Sequence, residues 1–262
     1  MGLDIYAGPV SRYVGGGWQT IVEQAGAAAG TPVITVRPGE SMQDLMSRAL
    51  AEGGDAPIRE IRMTDIQPRT QPIAEWKAGV LRSLGLNEEW DDRSDGEYYT
   101  DKPGWEGYGA VVLLAAYDEH PELAPGAKVK RVVGSRTVAA VAPGEFGEAE
   151  AYKAASASPV RYPTFLRAEW CLPISGGPAL FAAPTPGGKQ VTMGHVSRLL
   201  EELQLLNERT LRLSAADMEK ARRAVEAPEL ASYESMAPFG LSIITATAEF
   251  AAAHRVAWIM DY

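Results

Sequence analysis

The segment LDIYAGPV, residues 3–10, predicts the first strand of a sheet. Leu3, Ile5 and Ala7 alternate with Asp4 and Tyr6, and this period of two is typical of a half-buried strand. The alternation places Asp4 and Tyr6 on the less apolar face. We therefore expect both of these side chains to face solvent.

The segments that follow predict a helix and then a second strand. Three consecutive glycines at residues 15–17 break the first strand, and residues 18–29 place apolar side chains at helical spacing. The β-branched run at residues 33–36 ends at a Pro-Gly pair. This order predicts a small N-terminal sheet with a β-α-β start, in which the second strand can lie beside the first.

The rest of the chain is mostly helical in pattern. Helices are predicted over residues 41–51, 73–84, 109–120, 193–207, 214–225 and 239–259, with Thr192 and Ser214 as N-caps. Two β-branched runs around Gly134-Ser135 predict a hairpin over residues 128–141. The fold class is therefore α+β or mixed α/β, with a central hairpin and a helix-rich C-terminal half. We expect residues 1–262 to form a single domain, with any weak subdivision in the Pro/Gly-rich region 164–190.

Composition favours a soluble protein and excludes some classes of partner. The chain has 262 residues, of which 46% are hydrophobic, enough to bury a sizeable core. A net charge of −9 and a pI near 5.0 argue against nucleic-acid binding, which requires clustered Lys and Arg. The single cysteine, Cys171, permits no internal disulfide. The sequence has neither a signal-peptide pattern nor an uninterrupted membrane span, so we expect a cytoplasmic protein away from membranes. The oligomeric state stays open.

The most highly charged region is LNEEWDDRSDGEYYTDKPGWEGY, residues 86–108, termed here the acidic stretch. Its eight acids and two bases give it a net charge of −6, two-thirds of the excess charge of the whole chain. The acids are Glu88, Glu89, Asp91, Asp92, Asp95, Glu97, Asp101 and Glu106, and the aromatic residues are Trp90, Tyr98, Tyr99, Trp105 and Tyr108. A long loop with few helix or strand signals is typically functional or disordered. Five aromatic residues argue against disorder.

Acids interleaved with aromatic rings suit the docking of a cationic protein, because acids steer association and rings supply buried anchors. The first functional hypothesis is therefore a non-catalytic binding protein that docks a basic partner, as immunity proteins and inhibitors do. Its candidate binding residues are Trp90, Asp91, Asp92, Asp95, Glu97, Tyr98, Tyr99, Trp105, Glu106 and Tyr108. The alternative is a hydrolase that uses Asp and Glu of this stretch, with or without a divalent ion. Acids that point into solvent without converging would favour binding, whereas a deep pocket with two carboxylates would favour catalysis.

The known motifs for metals, nucleotides and nucleophiles are not matched. A calcium loop that starts at Asp91 would need acids where Arg93 and Lys102 stand. The glycines at residues 15–17 fit neither phosphate-binding pattern. No two of the three histidines have the spacing of a metal pair. We therefore assign no catalytic residue and expect no metal and no cofactor.

The predicted hairpin carries the one basic patch of the sequence. It contains Lys128, Lys130, Arg131 and Arg136, without an acid between Leu123 and Pro143. Two alternatives stay open for this patch: it pairs internally with the acidic stretch, or it forms a separate partner site. If the pairing is internal, only the acids left unpaired are available to a partner.

Two segments carry a family resemblance. MGLDIYAGPVSRY, residues 1–13, and YYTDKPGWEGYGAVVLLAAYDEHP, residues 98–121, are similar to a family of uncharacterised bacterial proteins that begin in this way. The resemblance extends over most of the chain. It implies a bacterial, cytoplasmic setting and no particular activity, so no functional residue is carried over from it.

Overall fold

The computed structural model describes residues 2–29, 34–36, 61–63, 72–90, 92–130, 135–223 and 232–262, and it confirms the α+β class. The helices are α1 Val10–Val14, α2 Ile21–Ala28, α3 Ile73–Ser83, α4 Gly104–Glu119, α5 Glu150–Ala157, α6 Pro163–Arg167, α7 Val196–Arg209, α8 Ala215–Arg222 and α9 Tyr233–His254. The strands are β1 Asp4–Gly8, β2 Ile34–Val36, β3 Ile61–Met63, β4 Tyr99–Asp101, β5 Lys128–Lys130, β6 Ser135–Thr137, β7 Trp170–Leu172, β8 Leu180–Pro184, β9 Gln190–His195 and β10 Ala257–Asp261. Short 3-10 helices occupy Pro121–Leu123 and Pro143–Glu148.

A six-stranded mixed sheet lies at the centre, in the order β4-β1-β10-β7-β9-β8. Strands β7 and β9 run parallel, and the other neighbouring pairs run antiparallel. The first and last strands of the chain are adjacent, with Asp4 opposite Asp261 and Gly8 opposite Ala257. The sheet therefore joins segments that are far apart in sequence.

Both faces of this sheet are buried. On one face Leu3, Ile5 and Ala7 pack against α4, α7 and α9, and on the other Tyr6 packs against α3 and the first half of the acidic stretch. The expectation that Asp4 and Tyr6 face solvent is wrong, because Asp4 is 8% exposed and Tyr6 0%. The alternation was identified correctly. The layer that covers Tyr6 combines Tyr13 and Trp18, a few residues further on, with Tyr98 and the residues of α3, far away in the sequence, so the strand's own pattern could not indicate it.

Helices α4 and α9 cross closely on the first face. A Cβ placed on Gly240 of α9 would lie 2.1 Å from the carbonyl oxygen of Gly107 of α4, so the two backbones approach without intervening side chains. Trp258 of β10 is 1% exposed, and its indole N–H donates to Thr247 Oγ1 of α9 at 2.9 Å. The central strand is thereby fixed to the longest helix.

The helix α9 is long and apolar enough to cross a membrane by length and composition. In this fold, however, 61% of its most apolar window is buried inside the protein. Leu241, Ile244 and Ala248 belong to the cluster formed with α4 and the sheet. Contacts within the molecule therefore account for its apolar surface, as in the core helix of a soluble protein.

The predicted β-α-β start is correct in its elements and differs in its pairing. Strand β2 pairs in parallel with β3 in a separate two-stranded sheet, whereas β1 pairs with β4 and β10. The neighbours of β1 begin about 90 and 250 residues further on, and local order in the sequence does not encode such pairings. The helix predicted over residues 41–51 lies outside the described residues.

The central hairpin is confirmed. Strands β5 and β6 pair antiparallel, with Lys128 opposite Thr137 and Lys130 opposite Ser135. Ser135, which was predicted to lie in the turn, is the first residue of β6, and residues 131–134 lie outside the described part of the chain.

Several predicted boundaries need correction, among them the start of the helix predicted over residues 239–259, which begins at Tyr233. Helix α4 begins at Gly104, five residues earlier than predicted. Thr192 lies within β9, and His195 is the N-cap residue of α7. The helix predicted over residues 239–259 ends at His254, because Arg255 adopts a left-handed conformation with φ of 53° and β10 follows. A left-handed residue is a common helix terminus, usually glycine, so an arginine gave no signal there.

The Pro/Gly-rich region 164–190 contributes most of α6, then β7 and β8, to the central structure. Strand β8 lies at the edge of the sheet. Its last residue, Pro184, has no backbone N–H to donate, which an edge strand tolerates. Residues 170–172 and 180–184 are thus part of the sheet, and a weak subdivision of the chain near this region stays a prediction.

Candidate functional site

The acidic stretch lies across the second face and the edge of the sheet. Its first half, residues 86–98, follows α3 and packs on that face through Leu86, Trp90 and Tyr98. Its second half is regular: Tyr99–Asp101 forms β4 against β1, and α4 starts at Gly104. The stretch is therefore held at both ends and in the middle.

Two aromatic residues of the first half are packing anchors. Trp90 is 5% exposed, the Nζ of Lys77 lies 4.6 Å from its ring centroid, and the same Nζ donates to the Trp90 carbonyl oxygen at 2.6 Å. Tyr98 stacks on Tyr6 with ring centroids 5.9 Å apart, and Arg12 Cζ lies 4.2 Å from the Tyr98 centroid. Their rings and the cations over them fasten the loop to the sheet.

The aromatic residue of β4 points toward α9. Tyr99 packs against Phe250, with ring centroids 5.8 Å apart, and its hydroxyl donates to Asp101 Oδ2 at 2.9 Å. Burial and the neighbouring Asp101 carboxylate raise the pKa of Tyr99 to about 12. Tyr99 therefore stays a neutral donor at physiological pH, and Asp101 is occupied by it.

The last two aromatic residues pack on the opposite face of the sheet. Trp105 contacts the rings of Tyr262 and Tyr108, with centroids 5.5 and 6.3 Å away. Tyr108 is 7% exposed and contacts Phe146 and Phe165, and its burial raises the pKa of its phenol far above the ordinary value. Neither ring offers a partner the large exposed surface that a binding anchor needs.

Glu88 holds a neighbouring loop. Its two carboxylate oxygens accept hydrogen bonds from the backbone N–H groups of Ser175 and Gly176, both at 2.9 Å. These backbone bonds lower the pKa of Glu88. The carboxylate is thus used within the fold.

Asp92 caps a helix from about 80 residues away. Its Oδ1 accepts from the backbone N–H groups of Val10 at 2.6 Å and Ser11 at 3.3 Å, and its carbonyl oxygen accepts from the Ser11 hydroxyl at 2.6 Å. The N-cap residue of α1, Pro9, provides no side-chain cap of its own. Asp92 supplies that cap and joins the acidic stretch to the N-terminal segment.

Substituting Asp92 with alanine is expected to lower the free energy of unfolding by about 1–2 kcal/mol, because the first N–H groups of α1 lose their acceptor. Urea denaturation followed by circular dichroism measures this change. Asp95→Ala is the matched control: Asp95 is exposed, and its removal should change stability by less than about 0.5 kcal/mol. Equal stability of the two variants would contradict the capping role.

The acids that remain accessible are Glu89, Asp95, Glu97 and Glu106. Glu89, Asp95 and Glu97 belong to the same short loop, and we term these three carboxylates the acidic surface. Glu97 Oε2 lies 3.4 Å from His254 Nδ1, an exposed pair that ordinarily contributes little to stability. Asp91 lies outside the described residues.

Glu97 and Glu106 do not converge. Glu97 lies beside His254, at the C-terminal end of α9, whereas Glu106 precedes Gly107, which contacts Gly240. Fourteen helical residues separate Gly240 from His254, so the two carboxylates lie on the order of 20 Å apart. The described ranges also contain no group of three or more His, Cys, Asp or Glu side chains that could hold a metal ion.

Cations approach the acidic stretch through its backbone. Arg12, Lys77 and Arg255 donate to the carbonyl oxygens of Gly96, Trp90 and Glu89 at 2.7, 2.6 and 3.2 Å, respectively. The sequence did not indicate these contacts. Every residue has a backbone carbonyl, and the pattern of charged side chains does not show which carbonyl accepts a hydrogen bond. They leave the carboxylates of the acidic surface facing solvent.

The hairpin formed by β5 and β6 and the acidic stretch lie at opposite ends of α4. Strand β5 lies beside the 3-10 helix Pro121–Leu123, which follows the C-terminal end of α4, whereas the acidic stretch leads into its N-terminus. Sixteen helical residues span about 24 Å. Lys128 is exposed, and no ion pair joins the hairpin to the acidic stretch among the side chains that the structure describes.

Comparison with known proteins gives no assignment. No protein-family model matches the chain, and no curated protein and no solved structure matches it either. The resemblance to a bacterial family stays a prediction. The function is therefore argued from the geometry of the acidic surface.

Proposed function

We propose that this is a non-catalytic binding protein that docks a basic protein partner on the acidic surface formed by Glu89, Asp95 and Glu97. The observation that carries the proposal is their exposure on a loop whose backbone is fastened by buried rings and by the Asp92 cap. A loop that is ordered before binding avoids much of the entropy cost of association. Exposed carboxylates raise the association rate of a cationic partner.

The five aromatic residues of the stretch contribute indirectly to this function. Trp90 and Tyr108 are buried and the other three rings are half-buried against the fold, so the interface should draw its energy chiefly from charge. Binding should therefore weaken steeply as salt is added, because exposed charges are screened beyond about 10 Å at 0.1 M ionic strength. The setting in this proposal is the bacterial cytoplasm, with an immunity- or inhibitor-like role. The hydrolase alternative draws no support from Glu97 and Glu106, which lie on the order of 20 Å apart.

Reversing the charge of the acidic surface is expected to abolish partner capture. The variant Glu89→Lys/Asp95→Lys/Glu97→Lys and the wild type are immobilised and exposed to lysate of the source organism at low and high salt, and retained proteins are identified by mass spectrometry. Wild type should retain a basic protein at low salt and lose it at high salt. The variant should lose at least about tenfold in affinity for the purified partner.

The matched control is Glu145→Lys/Glu201→Lys/Glu208→Lys, which makes the same change in net charge at three exposed acids elsewhere on the surface. This control should retain the partner like wild type. If the acidic-surface variant keeps every protein that wild type binds, the proposed docking site is wrong. If both triple variants lose the partner equally, net charge rather than this surface governs the interaction.

A further inference from the structure

Strand β8 is the last strand at one edge of the central sheet, so part of its backbone faces away from β9. The Thr185 N–H, one residue beyond β8, donates to the Lys189 carbonyl oxygen at 2.8 Å. Hydrogen-bonded pairs alternate with non-bonded pairs along an antiparallel ladder, so Phe181 and Ala183 bond to β9. The alternate residues of β8 therefore direct their N–H and C=O groups to the outer side of the sheet.

Two residues present free backbone groups on that outer side. The N–H and C=O groups of Leu180 and Ala182 have no hydrogen-bond partner among the residues that the structure describes. Ala182 is exposed and Leu180 is half-buried. Pro184 has the same orientation, but it has no N–H, and its carbonyl oxygen accepts from Trp76 Nε1 at 2.7 Å. The free donors and acceptors of β8 are thus those of Leu180 and Ala182, spaced as a partner strand requires.

The opposite edge of the sheet, formed by β4, differs from β8 in two respects. The Thr100 hydroxyl of β4 donates to the Gln19 carbonyl oxygen at 3.0 Å, so another segment of the chain lies against that strand. Asp101 places a charge on β4, and charges on an edge strand discourage pairing with another chain. Residues 173–188, by contrast, contain no charged side chain, so β8 lacks this protection.

The free groups of β8 are complementary to those of a second copy of the same strand. When two copies run antiparallel with Phe181 opposite Phe181, Leu180 of each copy lies opposite Ala182 of the other. Each of these pairs exchanges both N–H···O=C bonds, so every free group is used. The two Phe181 rings form a non-bonded pair, in which opposing side chains are closest and aromatic contacts are favourable. Pro178 and Pro184 then lie opposite each other and end the ladder, because proline has no N–H.

The distribution of charge also favours this edge for contact between copies. Each chain carries a net charge of −9, so two copies repel each other where their acids approach. Contact along the uncharged segment 173–188 brings no like charges into direct apposition.

We infer that β8 is a self-association site, at which two copies of this chain pair antiparallel about Phe181 and form one continuous sheet across a two-fold axis. Such an interface is isologous, because each copy contributes the same surface. Two five-residue strands bury less area than a standard interface, so we expect a weak dimer with a Kd on the order of 10–100 µM. This site lies outside the acidic surface and does not depend on the proposed docking function.

Sedimentation velocity at total concentrations from about 1 to 500 µM measures the association. Wild type should change from monomer to dimer over this range. Because the copies repel each other and the contact itself is uncharged, the dimer should strengthen about threefold between about 20 and 200 mM salt. Docking of a basic partner should respond to salt in the opposite direction, so the two interactions can be told apart.

Amide hydrogen exchange, followed by mass spectrometry with fragmentation to single residues, locates the contact in the unaltered protein. The amides of Leu180 and Ala182 should exchange about four- to tenfold more slowly at about 500 µM than at about 1 µM. The amides of Phe181 and Ala183 bond to β9 within the chain. They are the internal reference and should be slow at both concentrations.

Two substitutions at one exposed position separate the backbone donor from the side chain. Ala182→Pro removes an N–H that faces away from β9, so the ladder within the chain keeps its bonds. This variant should stay monomeric up to about 500 µM, with the circular dichroism spectrum of wild type. Ala182→Ser keeps the N–H and is the matched control, so it should dimerise like wild type.

Three results would overturn the inference. They are a monomer at every concentration, a dimer that persists in a folded Ala182→Pro variant, and slow exchange of the Leu180 and Ala182 amides at every concentration. The last result would mean that another segment of the same chain covers the edge. If Ala182→Pro does not fold, the exchange measurement on wild type decides alone.

Discussion

Substituting Gly240 with valine should lower the free energy of unfolding by at least about 3 kcal/mol, the upper end of what overpacking costs. A Cβ at this position would lie 2.1 Å from the Gly107 carbonyl oxygen and 2.9 Å from Val111 Cγ2. The obstructing atom is backbone inside a long helix, so it cannot rotate away as a side chain can. Relief requires α4 and α9 to separate, which opens the larger core cluster.

The matched control is Gly79→Ala on the exposed side of α3, where an added Cβ meets nothing within 4 Å. Alanine loses less conformational entropy on folding than glycine, so this variant should gain about 0.5–1 kcal/mol. Urea denaturation followed by circular dichroism measures both. A Gly240→Val variant within about 1 kcal/mol of wild type would mean that the helix crossing tolerates repacking.

The second large expected effect concerns Glu202. The free energy of unfolding should fall as the pH rises from acid to neutral, because the Glu202 carboxyl loses its proton. This carboxylate is 8% exposed and accepts from the backbone N–H groups of Thr164 at 3.1 Å and Phe165 at 2.8 Å. Burial raises the pKa of Glu202 from 4.5 to about 7, against the opposing effect of those two hydrogen bonds. The folded state therefore holds this proton more tightly than the unfolded chain does.

The direction of the effect follows from that difference. The contribution of Glu202 to stability is fully present below pH 4.5 and is lost as the pH rises through about 7. The shift corresponds to about 3 kcal/mol, at 1.36 kcal/mol per pKa unit. Glu202→Gln does not titrate and should lack this loss, so the stability difference between wild type and variant should change by about 3 kcal/mol between pH 4.5 and 8.

Free energies of unfolding in urea at several pH values measure the effect. The control is Glu201→Gln, the adjacent but exposed acid on α7, which should follow the pH profile of wild type. If Glu202→Gln also follows the wild-type profile, the carboxylate is ionised in the fold throughout this range.

Local signals in the sequence predicted the elements that local interactions stabilise. Ser214 caps α8 as expected. Asp217 completes a capping box, which matches the sequence pattern S-x-x-D. The central hairpin also formed where its two β-branched runs lie. In each case the stabilising partner is a few residues away.

Tertiary contacts decided the rest of the fold. Thr192 has the chemistry of an N-cap, but pairing of β9 with β7 and β8 holds it in a strand. The apolar segment around Trp258 was predicted to be helical. A short run of β-branched and aromatic residues is compatible with a helix and with a strand, so its pattern alone does not distinguish them. Its neighbours in the sheet, rather than its own pattern, select the strand.

The candidate site likewise has features that the sequence predicted and features that depend on tertiary contacts. Exposure of Asp95, Glu97 and Glu106 follows from charge alone, since unpaired acids are rarely buried. The packing roles of Trp90 and Tyr108 depend on partners such as Lys77 and Phe165, which no local pattern links to them.

The pairing of β1 with β10 has a consequence for how the chain acquires its fold. Asp4 and Asp261 lie opposite each other, so the centre of the sheet closes a loop of more than 250 residues. Such long-range contacts slow folding, because closure entropy is lost before the contact forms. On the ribosome, β1 must wait until the more than 250 residues up to β10 have been synthesised, with one edge open to incorrect pairing. The edge of β1 that β10 covers therefore stays exposed until β10 has emerged.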